Sequence, residues 1–126
     1  MRKTGIFMLL VVFLAVPVAA FASGNAKKGQ RIFNRCKPCH SLVKGQRRIG
    51  PSLHGLFGRT SGTLPGFNYS SAMKKAHIVW NAKTLDKYLT KPRKVVPGTR
   101  MAFPGLPKEE EREDLIAYLK EATKAN

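Results

Sequence analysis

The sequence predicts a small domain with a helix at each end and a loop-rich segment between them. Apolar residues recur at three- and four-residue steps in residues 25–35 and 108–124, as they do on one face of a helix. Between these stretches, glycine and proline interrupt the chain so often that neither a long helix nor a regular sheet fits. The pattern therefore favours short helices and loops over strands.

The first 22 residues have the character of an export signal. A basic start precedes an unbroken apolar run over residues 6–16, and a small-residue cleavage site ends at Ala22. We therefore expect a signal peptide in residues 1–22 and a mature domain in residues 23–126. The alternative is an uncleaved membrane anchor, because the apolar stretch approaches the ~17 residues that a short membrane span needs.

The first helix of the mature domain is predicted over residues 25–35. Asn25 can cap its start, and Ala26, Gly29 and Phe33 share one face. Glycine lowers helix stability, so Gly29 indicates a close approach by another backbone. The alternative is a frayed helix start that merely tolerates glycine.

The last helix, over residues 108–124, has the clearest pattern in the chain. Acidic residues crowd its first turns and Lys120 and Lys124 lie near its end, an order that suits the helix dipole. We expect it to pack against the first helix. Its apolar stripe consists of Leu115, Ile116, Tyr118, Leu119 and Ala122.

Two shorter helices are expected in the middle of the chain, over residues 71–76 and 84–89. Pro92 limits the second of them, although a short turn can restart beyond it. The rest of the middle is predicted to be loop.

Charge restricts the partners of this protein. There are 23 Lys and Arg against 7 Asp and Glu, which gives +16, and removal of Arg2 and Lys3 with the signal leaves +14. Asp86 is the only acid in residues 23–108. Such a field favours acidic partners or a negative membrane surface. A nucleic-acid partner fits the charge, but export and the lack of a groove-reading motif argue against it.

Residues 36–40 read Cys-Lys-Pro-Cys-His, the C-x-x-C-H pattern of covalent haem attachment. Residues three and four apart share one face of a helical turn. Cys36 and Cys39 can therefore form thioethers to one haem c, while His40 offers a nitrogen to its iron. With both cysteines of the chain used in this way, we expect no disulfide. A dithiol redox pair would need a βαβ pattern nearby, and a zinc site would need further thiols or suitably spaced histidines.

A single histidine ligand leaves the opposite iron position open, and its occupant separates a carrier from an enzyme. The mature chain offers Met73, Met101, His54 and His77. Methionine usually fills a core. Met101 differs because it lies in a proline-bounded loop, residues 97–104, which can drape over the far face of a ring and present its sulfur to iron.

Further motifs follow in order along the chain. They are Gly29, Phe33, the attachment motif, GPSLHGLFGR at residues 50–59, Trp80, Tyr88-Leu89, PGTRM at residues 97–101 and LIAYL at residues 115–119. Together they resemble class I cytochrome c, the group of mitochondrial cytochrome c and its soluble bacterial relatives. The resemblance implies an all-α fold in which the N- and C-terminal helices cross and short helices and loops wrap around one covalently bound haem.

The resemblance also implies roles for individual residues. It makes His40 and Met101 the axial ligands and gives no ligand role to His54 or His77. It implies that the Pro51 carbonyl accepts a hydrogen bond from the His40 ring, which fixes the orientation of that ligand. The other residues it places around the haem are Arg59, Tyr69 and Trp80 near the propionates, and Tyr88 and Thr99 near Met101.

The function implied by the resemblance is that of a soluble one-electron carrier, a monomer and not an enzyme. The signal sequence in residues 1–22 places this expected carrier in the bacterial periplasm. The carrier would cycle haem iron between Fe(III) and Fe(II) and carry electrons from a quinol-oxidising complex to a terminal oxidase, a reductase or a photosynthetic reaction centre. Acidic surfaces of those membrane complexes would dock on a basic rim, formed by Arg35, Arg48, Arg93, Lys94, Arg100 and Lys108. A haem enzyme such as a peroxidase is one competing hypothesis. A haem module fixed to the membrane by a retained signal is another.

Overall fold

Helices joined by long loops make up residues 24–125, the part of the chain that this computed structural model describes. The helices are α1 (Ala26–Phe33), α2 (Ser71–Lys75), α3 (Ala82–Thr90), α4 (Pro92–Val95) and α5 (Glu109–Ala122). No β-strand forms in this part of the chain, where one isolated antiparallel bridge pairs Thr60 with Val79. The expected all-α architecture is thus confirmed. The predicted signal peptide lies outside the described residues.

Side-chain caps set the starts of three helices. The Asn25 side chain accepts from the Lys28 amide at 3.0 Å, so the predicted cap of α1 is confirmed. Ser70 accepts from the Met73 amide at 3.1 Å at the start of α2. At α3, Asn81 and Thr84 form a reciprocal capping box. This box starts α3 at Ala82, two residues before the predicted start.

The first and last helices cross at closest approach where Gly29 meets α5. A Cβ at Gly29 would overlap the backbone of Asp114, so only glycine permits this crossing without a shift. The Phe33 and Tyr118 rings pack with their centroids 5.4 Å apart. The Asn25 amide adds a hydrogen bond of 2.6 Å to the Asp114 carboxylate. The close approach predicted from Gly29 is therefore confirmed, and the alternative of a merely tolerated glycine is wrong.

The apolar core lies where α1, α3 and α5 meet the loops. Leu115, Ile116 and Leu119 of the predicted stripe are buried. The same helix also buries Arg112 and Asp114, which the apolar stripe does not predict. No helix in residues 24–125 has the length and hydrophobicity that crossing a membrane requires.

Candidate haem-binding site

A cavity of about 500 Å³ lies against this core. Cys36, Cys39 and His40 line it, and Met73 and Met101 line it as well. Its size falls within the ~300–1,000 Å³ typical of small-molecule and cofactor pockets. The structure therefore brings the attachment motif and both candidate thioethers to one space.

The two histidines that the sequence offers as ligands, His54 and His77, do not line the cavity that the two methionines line. His54 lies in a separate, more open cavity of about 450 Å³, where Lys44 and Phe57 are neighbours. His77 is an exposed residue with a φ of 49° in the turn after α2. Neither is among the residues that line the larger cavity. The expectation that they are not ligands agrees with this placement.

The attachment segment continues directly from α1 as a series of hydrogen-bonded turns. The amides of Cys39 and His40 both donate to the Cys36 carbonyl, at 3.0 and 2.9 Å. This local geometry sets the two thiols and the imidazole on one side of the turn. The Gly50 amide donates to the Cys39 carbonyl at 2.8 Å and closes the segment against the following loop.

The thiol chemistry separates haem attachment from the two other C-x-x-C readings. Burial raises the pKa of the Cys36 thiol to about 11. A redox-active dithiol needs a lowered thiol pKa, so this environment argues against that role. Within residues 24–125, no group of three or more His, Cys, Asp or Glu side chains is arranged to hold a metal ion. A zinc site at Cys36 and Cys39 would therefore lack the further ligands that it needs.

The His40 ring is held in one orientation. Its Nδ1 lies 2.8 Å from the Pro51 carbonyl oxygen, so the predicted contact is confirmed. Because a carbonyl only accepts, Nδ1 carries the hydrogen and Nε2 keeps a free lone pair. Burial lowers the pKa of His40 and favours the neutral ring. A neutral imidazole with Nε2 free is the form that binds a metal.

Met101 lies beside the residues expected around it. The Tyr88 hydroxyl donates to the Met101 Sδ at 3.5 Å and lies 3.3 Å from the Thr99 Oγ1. The Met101 amide donates to the same Thr99 oxygen at 3.3 Å. Burial raises the pKa of Tyr88, which keeps its donor hydrogen in place. The predicted proximity of Tyr88 and Thr99 to Met101 is confirmed.

Arg59, Tyr69 and Trp80 also line the cavity, as expected. The Arg59 guanidinium donates to the carbonyls of Ser52, at 3.0 Å, and His54, at 3.2 Å. Burial lowers the pKa of Arg59 and raises that of Tyr69. These groups add polar atoms to a cavity that is lined mainly by apolar side chains.

The six basic residues of the predicted rim are all exposed, but they do not all meet at the cavity. Arg35 and Arg100 line it. Arg48 donates to the Lys37 carbonyl, and Lys108 lies 3.9 Å from a Glu111 oxygen. The structure does not place these two, or Arg93 and Lys94 on α4, among the lining residues.

Arg112 joins α5 to α3 and to the loop after Met101, a role that the sequence pattern did not predict. It is buried and donates to the Asp86 carboxylate at 2.7 Å and to the carbonyls of Leu106 and Pro107, both at 2.9 Å. The isolated position of Asp86 in a basic segment was a signal that could have indicated a specific ion pair.

The donor chemistry fits a haem. Two thiols, a neutral imidazole with a free Nε2 and the thioethers of Met73 and Met101 line one cavity, whose other lining residues are mainly apolar. A thiol can bond a vinyl group, and nitrogen and thioether donors suit haem iron. The fold and the site together define a haem-binding protein of the c type.

Comparison with known proteins agrees with this class. The family model described as Cytochrome c matches residues 26–123. A cytochrome c of Sesamum indicum is 54% identical over 102 residues, 79% of this chain and 92% of that protein. The cytochromes c of Stellaria longipes and Gibberella zeae are each 51% identical to this chain over 82% of its length. The matches cover 98% of the first protein and 99% of the second.

The chain belongs to the cytochrome c family. It is an electron carrier with one covalently bound haem c.

Proposed function

We propose that this protein is a soluble periplasmic one-electron carrier that works between a quinol-oxidising complex and a terminal oxidase, a reductase or a photosynthetic reaction centre. The observation that carries the proposal is the arrangement of His40 and Met101 along one apolar cavity that also holds both thiols. The bound haem supplies the Fe(III)/Fe(II) couple. The protein accepts one electron from a reduced donor and passes it to an oxidised acceptor.

We propose that Cys36 and Cys39 carry the two thioether bonds and that His40 Nε2 and the Met101 sulfur are the axial ligands. Support for Met101 over Met73 comes from its surroundings. The Met101 sulfur accepts from Tyr88, and its backbone is tied to Thr99. Ligation by methionine and histidine raises the reduction potential, which suits delivery to a terminal acceptor.

The remaining cavity residues act on orientation and solvation. Pro51 keeps the His40 ring in place, and Tyr88 and Thr99 hold the Met101 side chain. Arg59, Tyr69 and Trp80 line the cavity and would offer donors to the haem propionates. With His40 and Met101 both bound to the iron, little space would remain for a substrate, so we propose electron transfer and not catalysis.

Carbon monoxide tests the ligand set, because it binds only where a ferrous position is open. We expect no binding to the reduced wild-type protein at neutral pH, since Met101 holds that position. The Met101→Ala variant should bind carbon monoxide, and the Met73→Leu variant, which alters the other cavity methionine, should not. Ready binding to the wild-type protein would favour the peroxidase-like alternative.

We further propose that acidic surfaces of membrane redox complexes dock around the cavity mouth. Arg35 and Arg100 line the cavity and are exposed, and the mature chain carries an excess of basic residues. Such a field steers an acidic partner towards productive encounter. The protein would act as a monomer and would meet the membrane only through these partners. Arg48, Arg93, Lys94 and Lys108 are exposed but do not line the cavity, and they would extend the proposed rim beyond it.

The rate of electron exchange with a purified quinol-oxidising complex tests this surface. The second-order rate should fall steeply with added salt, because salt screens charges beyond ~10 Å at 0.1 M. An Arg35→Glu/Arg100→Glu variant should be slower at low salt, whereas Lys83→Glu, exposed on α3 and away from the cavity lining, should change the rate much less. A salt-independent rate would contradict steering by the rim.

The periplasmic location depends on residues 1–22. Their signal-like pattern supports export and cleavage after Ala22. The intact mass of the exported protein tests this. A mass that retains residues 1–22 would instead support a membrane-fixed module.

A further inference from the structure

A partly buried ion pair, between the buried Arg112 and the partly exposed Asp86, joins three parts of the fold beside the Met101 loop. Arg112 of α5 has a side chain that is 9% exposed, and its Nε lies 2.7 Å from the Asp86 Oδ1 of α3. Its Nη1 donates to the carbonyls of Leu106 and Pro107 at 2.9 Å. One guanidinium thus binds a helix side chain and two loop carbonyls at once, which uses the fixed fork of arginine donors.

The loop segment held by Arg112 is also fixed to the end of α3. The Leu106 amide donates to the Leu89 carbonyl at 2.7 Å, and the Leu106 side chain is fully buried. Gly105, at a φ of 109°, approaches the Thr90 carbonyl so closely that a Cβ there would overlap it. This is the downstream end of the loop that carries Met101.

The same helix α3 supplies the hydroxyl that contacts the Met101 sulfur. Tyr88 lies two residues after Asp86 and donates to Met101 Sδ at 3.5 Å. Arg112 therefore binds α3 at Asp86, two residues before Tyr88. It also binds the segment that follows Met101, at the carbonyls of Leu106 and Pro107. The Arg112 guanidinium thus connects helix α3, which carries Tyr88, to the loop that carries Met101.

We propose that the Asp86–Arg112 pair is a clamp that positions Met101 by keeping its loop in register with α3. The clamp rests on the proposed role of Met101 as the second axial ligand. Arg112 does not line the haem cavity, so it is a positioning residue that acts through the loop. Loss of the pair would leave the loop attached but freer to move the sulfur away from the iron.

Competition by added imidazole measures how firmly Met101 is held in the ferric holoprotein. The Asp86→Ala variant removes the carboxylate but leaves both carbonyl partners of Arg112. We expect its apparent Kd for imidazole to fall about tenfold, equal to about 1.4 kcal/mol, as for loss of a hydrogen bond to a charged group. The conservative Asp86→Glu variant should stay closer to the wild-type value.

The matched control is Glu110→Gln, which breaks another ion pair of α5, that with Lys28 at 3.1 Å. It should leave the imidazole Kd unchanged, because it lies at the crossing with α1. A second measurement follows amide hydrogen exchange at Leu106, which should accelerate in Asp86→Ala and not in Glu110→Gln.

The outcomes separate the clamp from the ligand assignment. If Met101→Ala leaves the ferric spectrum of the holoprotein unchanged, Met101 is not the ligand and both proposals fail. If Met101 is the ligand but Asp86→Ala unfolds more easily with a wild-type imidazole Kd, the pair only stabilises the fold. That result would overturn the clamp and leave the ligand set standing.

Discussion

The two sides of the cavity are built in different ways. On the attachment side, three functional residues lie within residues 36–40 and are fixed by hydrogen bonds between neighbouring backbone groups. On the Met101 side, the sulfur accepts from Tyr88 of α3. The loop that carries it is fixed by Arg112 of α5, which donates to the Leu106 carbonyl, and by Arg100, which donates to the Asn68 carbonyl 32 residues away. One side is a local structure and the other is a tertiary one.

This difference teaches where each side can fail. A local turn persists as long as its few residues remain, whereas a tertiary site loses precision whenever one of several distant contacts weakens. Substitutions on the attachment side should therefore have all-or-none effects. Those around Met101 should have graded effects that follow the number and burial of the contacts removed.

The largest effect is expected from the Cys36→Ala/Cys39→Ala variant. It removes both thiols of the chain, so no haem should remain bound after denaturation and extraction with an organic solvent. The Met101→Leu variant is the control, because it changes the opposite side and should retain the haem through extraction. Covalent haem in the double variant would refute the assignment of the attachment site.

A large loss of stability is expected from Gly29→Val, which tests the helix crossing that supports the attachment side. The new side chain collides with the Asp114 backbone and must force α1 away from α5. We expect the free energy of unfolding in urea to fall by about 1–3 kcal/mol or more, as for overpacking. Gln30→Val places the same β-branched residue on an exposed position of α1 and should cost much less. Equal losses would mean that helix propensity, and not the crossing, explains the effect.

A moderate effect is expected from Tyr88→Phe on the Met101 side. The variant keeps the ring but removes the donor to Met101 and the partner of the buried Thr99 hydroxyl. The free energy of unfolding should fall by about 1 kcal/mol, and imidazole should displace Met101 more readily. Tyr118→Phe, which keeps the ring that packs on Phe33, should leave imidazole binding unchanged. A Tyr88→Phe variant identical to wild type in both measurements would argue against graded support.

The smallest effect is expected from Arg100→Gln, which removes the exposed hydrogen bond of 3.1 Å to the Asn68 carbonyl. Exposed contacts contribute little, so the imidazole affinity should change by about 0.5 kcal/mol or less. An effect larger than that of Tyr88→Phe would reverse the order of contacts proposed for this loop.

The sequence predicted the attachment side almost completely, because its information is local. Residues 36–40 specify the thiols and the imidazole. Gly29 predicted the helix crossing, because a glycine inside a helix indicates a close approach by another backbone. The Met101 side was only partly predictable. The motif order indicated Met101 and Tyr88, but the Asp86–Arg112 contact joins residues 26 positions apart and depends on how two helices pack. No periodicity in either helix specifies that pairing.

The crossing of α1 and α5 also makes the fold depend on both ends of the domain. The Asn25 amide and the Asp114 carboxylate that meet there are 89 positions apart, so the crossing cannot form until nearly the whole domain has been made. Bringing such distant segments together costs conformational entropy, because a long chain must first close on itself. A chain that ends before α5 would contain both thiols and Met101 but would lack the helix that packs against Gly29. Truncation before Glu109 should therefore remove the helix crossing, whereas the hydrogen bonds from the Cys39 and His40 amides to the Cys36 carbonyl join near neighbours and can still form.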